Sequence, residues 1–152
     1  MTTHHLAQAN IAVSRYSMDA PEMLGFTGRL DEINSLADGS PGFVWRATGD
    51  DVDAAARAAF DEPRLLFNLT LWDSFDALND YVYRSAHAEV LRQRAQWFDR
   101  GDRAGFVLWW IPAGSLPTID DTRRRFESLW TQGPTADAFT FRHPFDPPEL
   151  VT

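Results

Sequence analysis

The 152-residue chain has no cysteine and no lysine; all 14 of its basic residues are arginine. Without cysteine there is no disulfide, no thiolate nucleophile and no cysteine-ligated zinc or iron–sulfur centre. Without lysine there is no Schiff-base chemistry. A basic stripe is missing too. The net charge is −8 and the sequence pI is near 4.8, so nucleic acid is not an expected partner, because phosphate binding rests on clustered positive charge. An anionic membrane surface is disfavoured for the same reason. No apolar run approaches membrane-spanning length. The start MTTHHLAQ shows no positive region ahead of an apolar stretch, so no secretory signal is expected. GxSxG, Walker, HExxH and dinucleotide fingerprints are absent, which leaves serine hydrolase, nucleotide and zinc-protease readings without support. His4 and His5 alternate across a strand and cannot share one metal. DDVD (Asp50–Asp53) lacks the glycine and distal glutamate of a calcium loop. No metal site is expected, and a cytoplasmic location is.

What is present is a packed globule: 44% hydrophobic and 13% aromatic residues in a length that fits one domain, 1–152. HHLAQANIAV (His4–Val13) reads as a first strand. A helix follows, with Asp19 as cap, Pro21 in its first turn and Gly39 at its end. FVWRAT (Phe43–Thr48) is a second strand, and the alanine-rich stretch after it has room for one short helix. RLLFNLTLW (Arg64–Trp72) is the strongest strand. Asp73 or Ser74 then caps a long helix expected to run to about Arg100 and stop at Gly101. GFVLWWIP (Gly105–Pro112) is a fourth strand. TIDDTRRRFESLWTQG (Thr118–Gly133) is a third helix, and the tail holds a short strand at Phe139–Arg142.

The expected fold class is therefore α+β: a ferredoxin-like split βαβ core over residues 4–112 with a four-stranded antiparallel sheet, plus a C-terminal helix and tail over 113–152. Two helices cover one face of such a sheet. The other face is expected to meet a second copy, which makes a homodimer. Removing residues from Thr118 onward should then weaken the fold without abolishing it.

The candidate chemistry centres on His87. On a continuous helical wheel, Phe75, Leu78, Val82, Ala86, Val90 and Trp97 form a buried stripe, and His87 falls at its margin. Tyr83, Arg84, Leu91 and Arg94 share its side. Burial there would favour neutral imidazole, as a general base or metal ligand needs; a boundary histidine hydrogen-bonded to backbone fits equally. On the third strand, alternation puts Asn68, Thr70 and Trp72 on one face. Polar groups mid-strand serve a ligand, a water, a second subunit or a polar lining. Trp109 and Trp110 must face opposite ways, one into the core and one toward a pocket.

The element order, with SPGFVW, NLTLWDSFDAL and YRSAHAEV, resembles the dimeric α+β barrel superfamily, which includes antibiotic-biosynthesis monooxygenases and bacterial heme-degrading monooxygenases. HLAQANIA, YRSAHAEVLRQRAQWF and LWWIPAG look closer to a bacterial branch whose function is not established. The resemblance implies a pocket asparagine at Asn10 and a site histidine at His87. It also implies heme ligation by His87, although the spacing from Trp72 to His87 is shorter than in the heme-degrading enzymes. The resulting expectation is a monooxygenase-like, cofactor-independent enzyme acting on a small apolar or aromatic molecule. His87 would be its base, and Asn10 or Asn68 would stabilise the enolate or phenolate. Thr70, Trp72, Tyr81, Tyr83, Arg84, Trp97 and Trp109 would line the site. The alternatives are a non-catalytic dimeric binding protein and a heme-binding one.

Overall fold

The computed structural model describes residues 3–85, 87–99 and 103–148. Strand β1, His4–Val13, lies inside a four-stranded sheet. A 3-10 turn at Pro21–Met23 leads into helix α1, Leu24–Asp38, which ends at Gly39. Then come β2 (Phe43–Arg46), α2 (Asp50–Ala59) and β3 (Leu65–Trp72). They are followed by α3 (Phe75–Arg84), α4 (His87–Arg92), β4 (Phe106–Pro112) and α5 (Ile119–Gln132). Strand order is β2-β3-β1-β4, and every pairing is antiparallel. Ser74 accepts from the Ala77 amide, and Thr118 from the Asp121 amide. Each satisfies one of the amides a helix start leaves unpaired.

Period-two alternation sorts the strands into two faces. Leu6, Trp72 and Leu108 pack with Ala37 of α1, Leu78 and Val82 of α3, and Phe139. The opposite face carries Ala7, Ala9, Leu69, Leu71, Val107 and Trp109. That second face is not open. Phe126 and Leu129 of α5 pack onto it, as do Ala138 and Phe60, the residue after α2. The alanine-rich connection forms a complete ten-residue helix, with Asp50, Asp51 and Asp53 in its first turn. Among the described residues both faces of the sheet are covered, so a second copy is not needed to bury the second face. Residues 113–148 pack into both faces of the sheet. Phe139 exchanges two backbone hydrogen bonds with Leu108, at 2.8 and 2.9 Å, and so covers the β4 edge. Its neighbour Ala138 packs on the other face.

The expected long helix is broken. Ser85 is extended (φ −115°, ψ −176°), and α4 starts afresh at His87. The Ser85 hydroxyl explains the break. It donates to the Tyr81 carbonyl and accepts from the His87 amide at 3.2 Å, replacing main-chain helix bonds with side-chain ones. After α4 the chain passes through a 3-10 turn, Arg94–Gln96, well short of the projected end. Ala86, Arg100 and Gly101 lie outside the described residues.

The turn between α1 and β2 needs glycine. Gly42 has φ +85°, and a Cβ there would sit 2.5 Å from both Ala77 Cβ and Asp73 Oδ1. Gly42→Ala is expected to destabilise by about 2 kcal/mol or more, since a left-handed position and a clash add. Chemical denaturation measures it, and an unchanged midpoint would contradict the packing described.

Candidate functional site

The face of the sheet covered by α1 and α3, hereafter the helix-covered face, gathers most of the chemically interesting groups. Trp72 is wholly buried, and its indole donates to Thr70 Oγ1 at 2.9 Å. Thr70 donates to Gln8 Oε1 at 2.9 Å, and Gln8 Nε2 to Asn10 Oδ1 at 3.3 Å. These contacts follow from register: Gln8 opposes Thr70, and Asn10 opposes Asn68. From the helix side, Tyr81 stacks on Trp72 with ring centres 5.3 Å apart. The His87 ring lies 5.0 Å from Tyr81. Tyr81 donates its hydroxyl to the Ile33 carbonyl, and burial pushes its pKa up to about 12. It is a structural phenol, not a proton carrier near neutral pH.

His87 bridges the helix break. Its Nδ1 lies 3.2 Å from the Val82 carbonyl, an acceptor only, so Nδ1 carries the proton. In neutral imidazole that leaves the lone pair on Nε2. Burial lowers its pKa below the usual histidine value, and the Val82 hydrogen bond opposes this more weakly. The resting species near neutrality is therefore imidazole, not imidazolium.

The other expected site residues divide. Asn68 is half-buried on the same face as Asn10. Trp97 is buried in a separate cluster with Met23, Ile33 and Val90. Tyr83 is exposed and packs edge-on against Phe141. Arg84 points into solvent and pairs with Asp80 at 3.5 Å. Trp109 is fully buried on the opposite face, under α5, so it cannot wall a site with His87; Trp110 takes the helix-covered face instead. Among the described residues no hydrogen bond joins His87 to Asn10 or Asn68. Gln8, which shares the parity of Asn10 on the first strand, links the polar chain. Its signal was a polar residue in the same parity as Leu6 and Asn10.

A surface cleft of about 510 Å³ runs beside this stack, lined by Ser40, Gly42, Asp73, Asp80, Tyr81 and Arg84. Another, of about 480 Å³, lies at the start of α3 between Trp110, Asp76 and Phe145. Among the described residues no three histidine, aspartate or glutamate side chains gather to hold a metal, and no helix is long and apolar enough to cross a membrane.

The family model described as a domain of unknown function (DUF3291) matches residues 5–152. No curated protein matches the chain. Among solved structures it is similar to the NE2512 protein of unknown function from Nitrosomonas europaea. The two share 10% identity over 78% of this chain and 99% of that one, with a TM-score of 0.46.

Proposed function

The chain belongs to the DUF3291 family, a domain of unknown function, and from that premise we propose that it is a small-molecule enzyme in which His87 takes a proton from its ligand. The observation that carries this reading is the anchored imidazole. Nδ1 is held by Val82, burial keeps the ring neutral, and Nε2 is left as the basic atom. The ligand class is an enolisable ketone or a phenol, whose deprotonation makes a carbanion or phenolate that Asn10 or Asn68 can stabilise. In the monooxygenase-like version, that anion passes its electrons to dioxygen. Dioxygen adds to the carbanion as a hydroperoxide, and loss of a second proton from the same carbon with cleavage of the O–O bond leaves a new C=O in the product and releases one water.

Strand order β2-β3-β1-β4 with antiparallel pairing throughout supports the ferredoxin-like reading of the fold. The covered second face argues against a barrel made from two sheets. The site is proposed to be complete within one chain, and light scattering at micromolar concentration should return 17.2 kDa. Twice that mass would put a second copy on another surface and reopen the question of a shared site.

Heme does not fit the arrangement. Trp72, Tyr81 and His87 pack against one another, so one face of the His87 ring is taken up by Tyr81 rather than left open to a porphyrin.

A non-catalytic binding protein is the second reading, favoured by one observation. Trp72, Thr70 and Gln8 spend their hydrogen bonds on one another rather than facing outward for a ligand. Deuterium uptake at the acidic carbon of acetophenone, followed by NMR, separates the two. The enzyme reading expects exchange above buffer, reduced about 100-fold or more in His87→Gln, as for loss of a positioned base. No exchange in either protein, with acetophenone bound equally by both, would establish the binding reading.

A further inference from the structure

The buried polar groups on the helix-covered face form a chain with one direction. An indole nitrogen carries a proton and no available lone pair, so Trp72 can only donate. Thr70 Oγ1 accepts that hydrogen bond at 2.9 Å and donates its own hydroxyl proton to Gln8 Oε1 at 2.9 Å. This settles which end of the Gln8 amide is oxygen. Turned round, its NH2 would meet a hydroxyl already accepting from Trp72, and the hydroxyl proton would have nowhere to go. Nε2 therefore faces Asn10 and donates to Oδ1 at 3.3 Å. With Oδ1 engaged, the NH2 of Asn10 is the end that has no partner among the described residues. Water cannot loosen the chain, because Trp72, Thr70 and Gln8 are 0%, 3% and 5% exposed. Asn10 is the first member of the chain to reach partial exposure.

We infer that Trp72, Thr70 and Gln8 are positioning residues that fix the polarity of Asn10, and that the subsite at Asn10 takes an acceptor oxygen: a carbonyl, an enolate or a carboxylate. Asn68, directly opposite in register and half-buried, has no side-chain hydrogen bond among the described residues and supplies a second amide to the same oxygen. A ligand that offers only donors, such as an ammonium group, meets the fixed N–H of Asn10 there and is disfavoured. This rests on the reading that the helix-covered face binds a small molecule, and it names the part of the ligand the face recognises.

Side-chain amide NMR tests the two halves separately. In the wild-type protein the Gln8 Nε2 protons should exchange slowly with solvent and the Asn10 Nδ2 protons quickly. Thr70→Ser should preserve that pattern, and Thr70→Val should erase the Gln8 protection. Benzoate or acetophenone should shift the Asn10 amide, whereas benzylamine should not. The near-isosteric Gln8→Glu at pH 8 gives the sharper result. Its carboxylate still accepts from Thr70 but now also accepts from Asn10, which must turn its oxygen outward. Fragment preference should then reverse, with benzoate weakened about tenfold and benzylamine bound. A freely exchanging Gln8 amide in the wild type would overturn the one-way chain. A protected Gln8 amide with no fragment shifting Asn10 would leave the chain in place and overturn both the subsite and the small-molecule reading beneath it. Benzylamine binding to the wild type would overturn the assigned ligand class alone.

Discussion

A chain ending at Pro117 is expected not to fold. The lost segment carries Phe126 and Leu129, which lie over Ala7, Ala9, Leu69, Leu71 and Trp109 on one face of the sheet. It also carries Phe139, fully buried with Leu6, Trp72 and Leu108 on the other face. Burying each of those three side chains contributes about 1.5–3 kcal/mol. Their removal also exposes Trp109 and Phe60 and strips the β4 edge of its two hydrogen bonds to Phe139. Losing these contacts from both faces at once is expected to leave the shorter chain unfolded, since the whole stability of a domain is only about 5–15 kcal/mol. Near-ultraviolet circular dichroism and amide dispersion of residues 1–117, compared with residues 1–148, would show it. A cooperative melt in the shorter chain would mean that 4–112 is a self-sufficient core after all.

Local patterns told most about the elements and least about their partners. His4–Val13 was legible because ten residues with few breakers, ahead of a turn-rich stretch, leave little choice but a strand. Ser74 and Thr118 were legible as caps because a hydroxyl before an apolar-periodic run has one obvious use. The break at Ser85 was hidden, since neither glycine nor proline marks it; a single serine hydroxyl outcompetes main-chain bonding there. Once the helix broke, the wheel that placed His87 at a margin no longer related it to Trp97. The covering of the second face was hidden for another reason. Helices α2 and α5 are far apart in sequence, and neither shows alone that they meet over one sheet. Gln8 is the clearest case at the site. Its role depends on facing Thr70, 62 residues away, and only register supplies that. Parity alone could say that Trp109 and Trp110 part ways, but not which of the two faces α1 and α3 would cover.

His87→Ala is expected to lower the melting temperature, a different result from the one a margin position implied. The change removes the partner of the Val82 carbonyl, an acceptor next to a buried side chain, at a cost of about 1–3 kcal/mol. It also removes the ring packed against Tyr81, for about another 1 kcal/mol. For a chain of this length the two together amount to a drop on the order of 5–10 °C. The pH dependence gives the independent check. Burial holds the folded pKa of His87 below the ordinary value of 6.5. Above about 6.5 the ring is neutral in both states, and its contribution is fully present. As pH falls below that point, the unfolded chain takes up a proton that the folded chain refuses. Stability is therefore lost progressively down to the lower, folded pKa and levels off beneath it. Glutamine can keep a bond to Val82 but cannot titrate, so His87→Gln should lack this component. Its melting temperature relative to wild type should be constant above pH 7.5 and rise steadily as the pH is taken to 5. The exposed Asp80–Arg84 pair and the remaining histidines are common to both proteins and cancel in the difference. A difference that stays flat from pH 8 to 5 would mean that the folded protein accepts a proton at His87 as readily as the unfolded chain, and the neutral base proposed here would go with it.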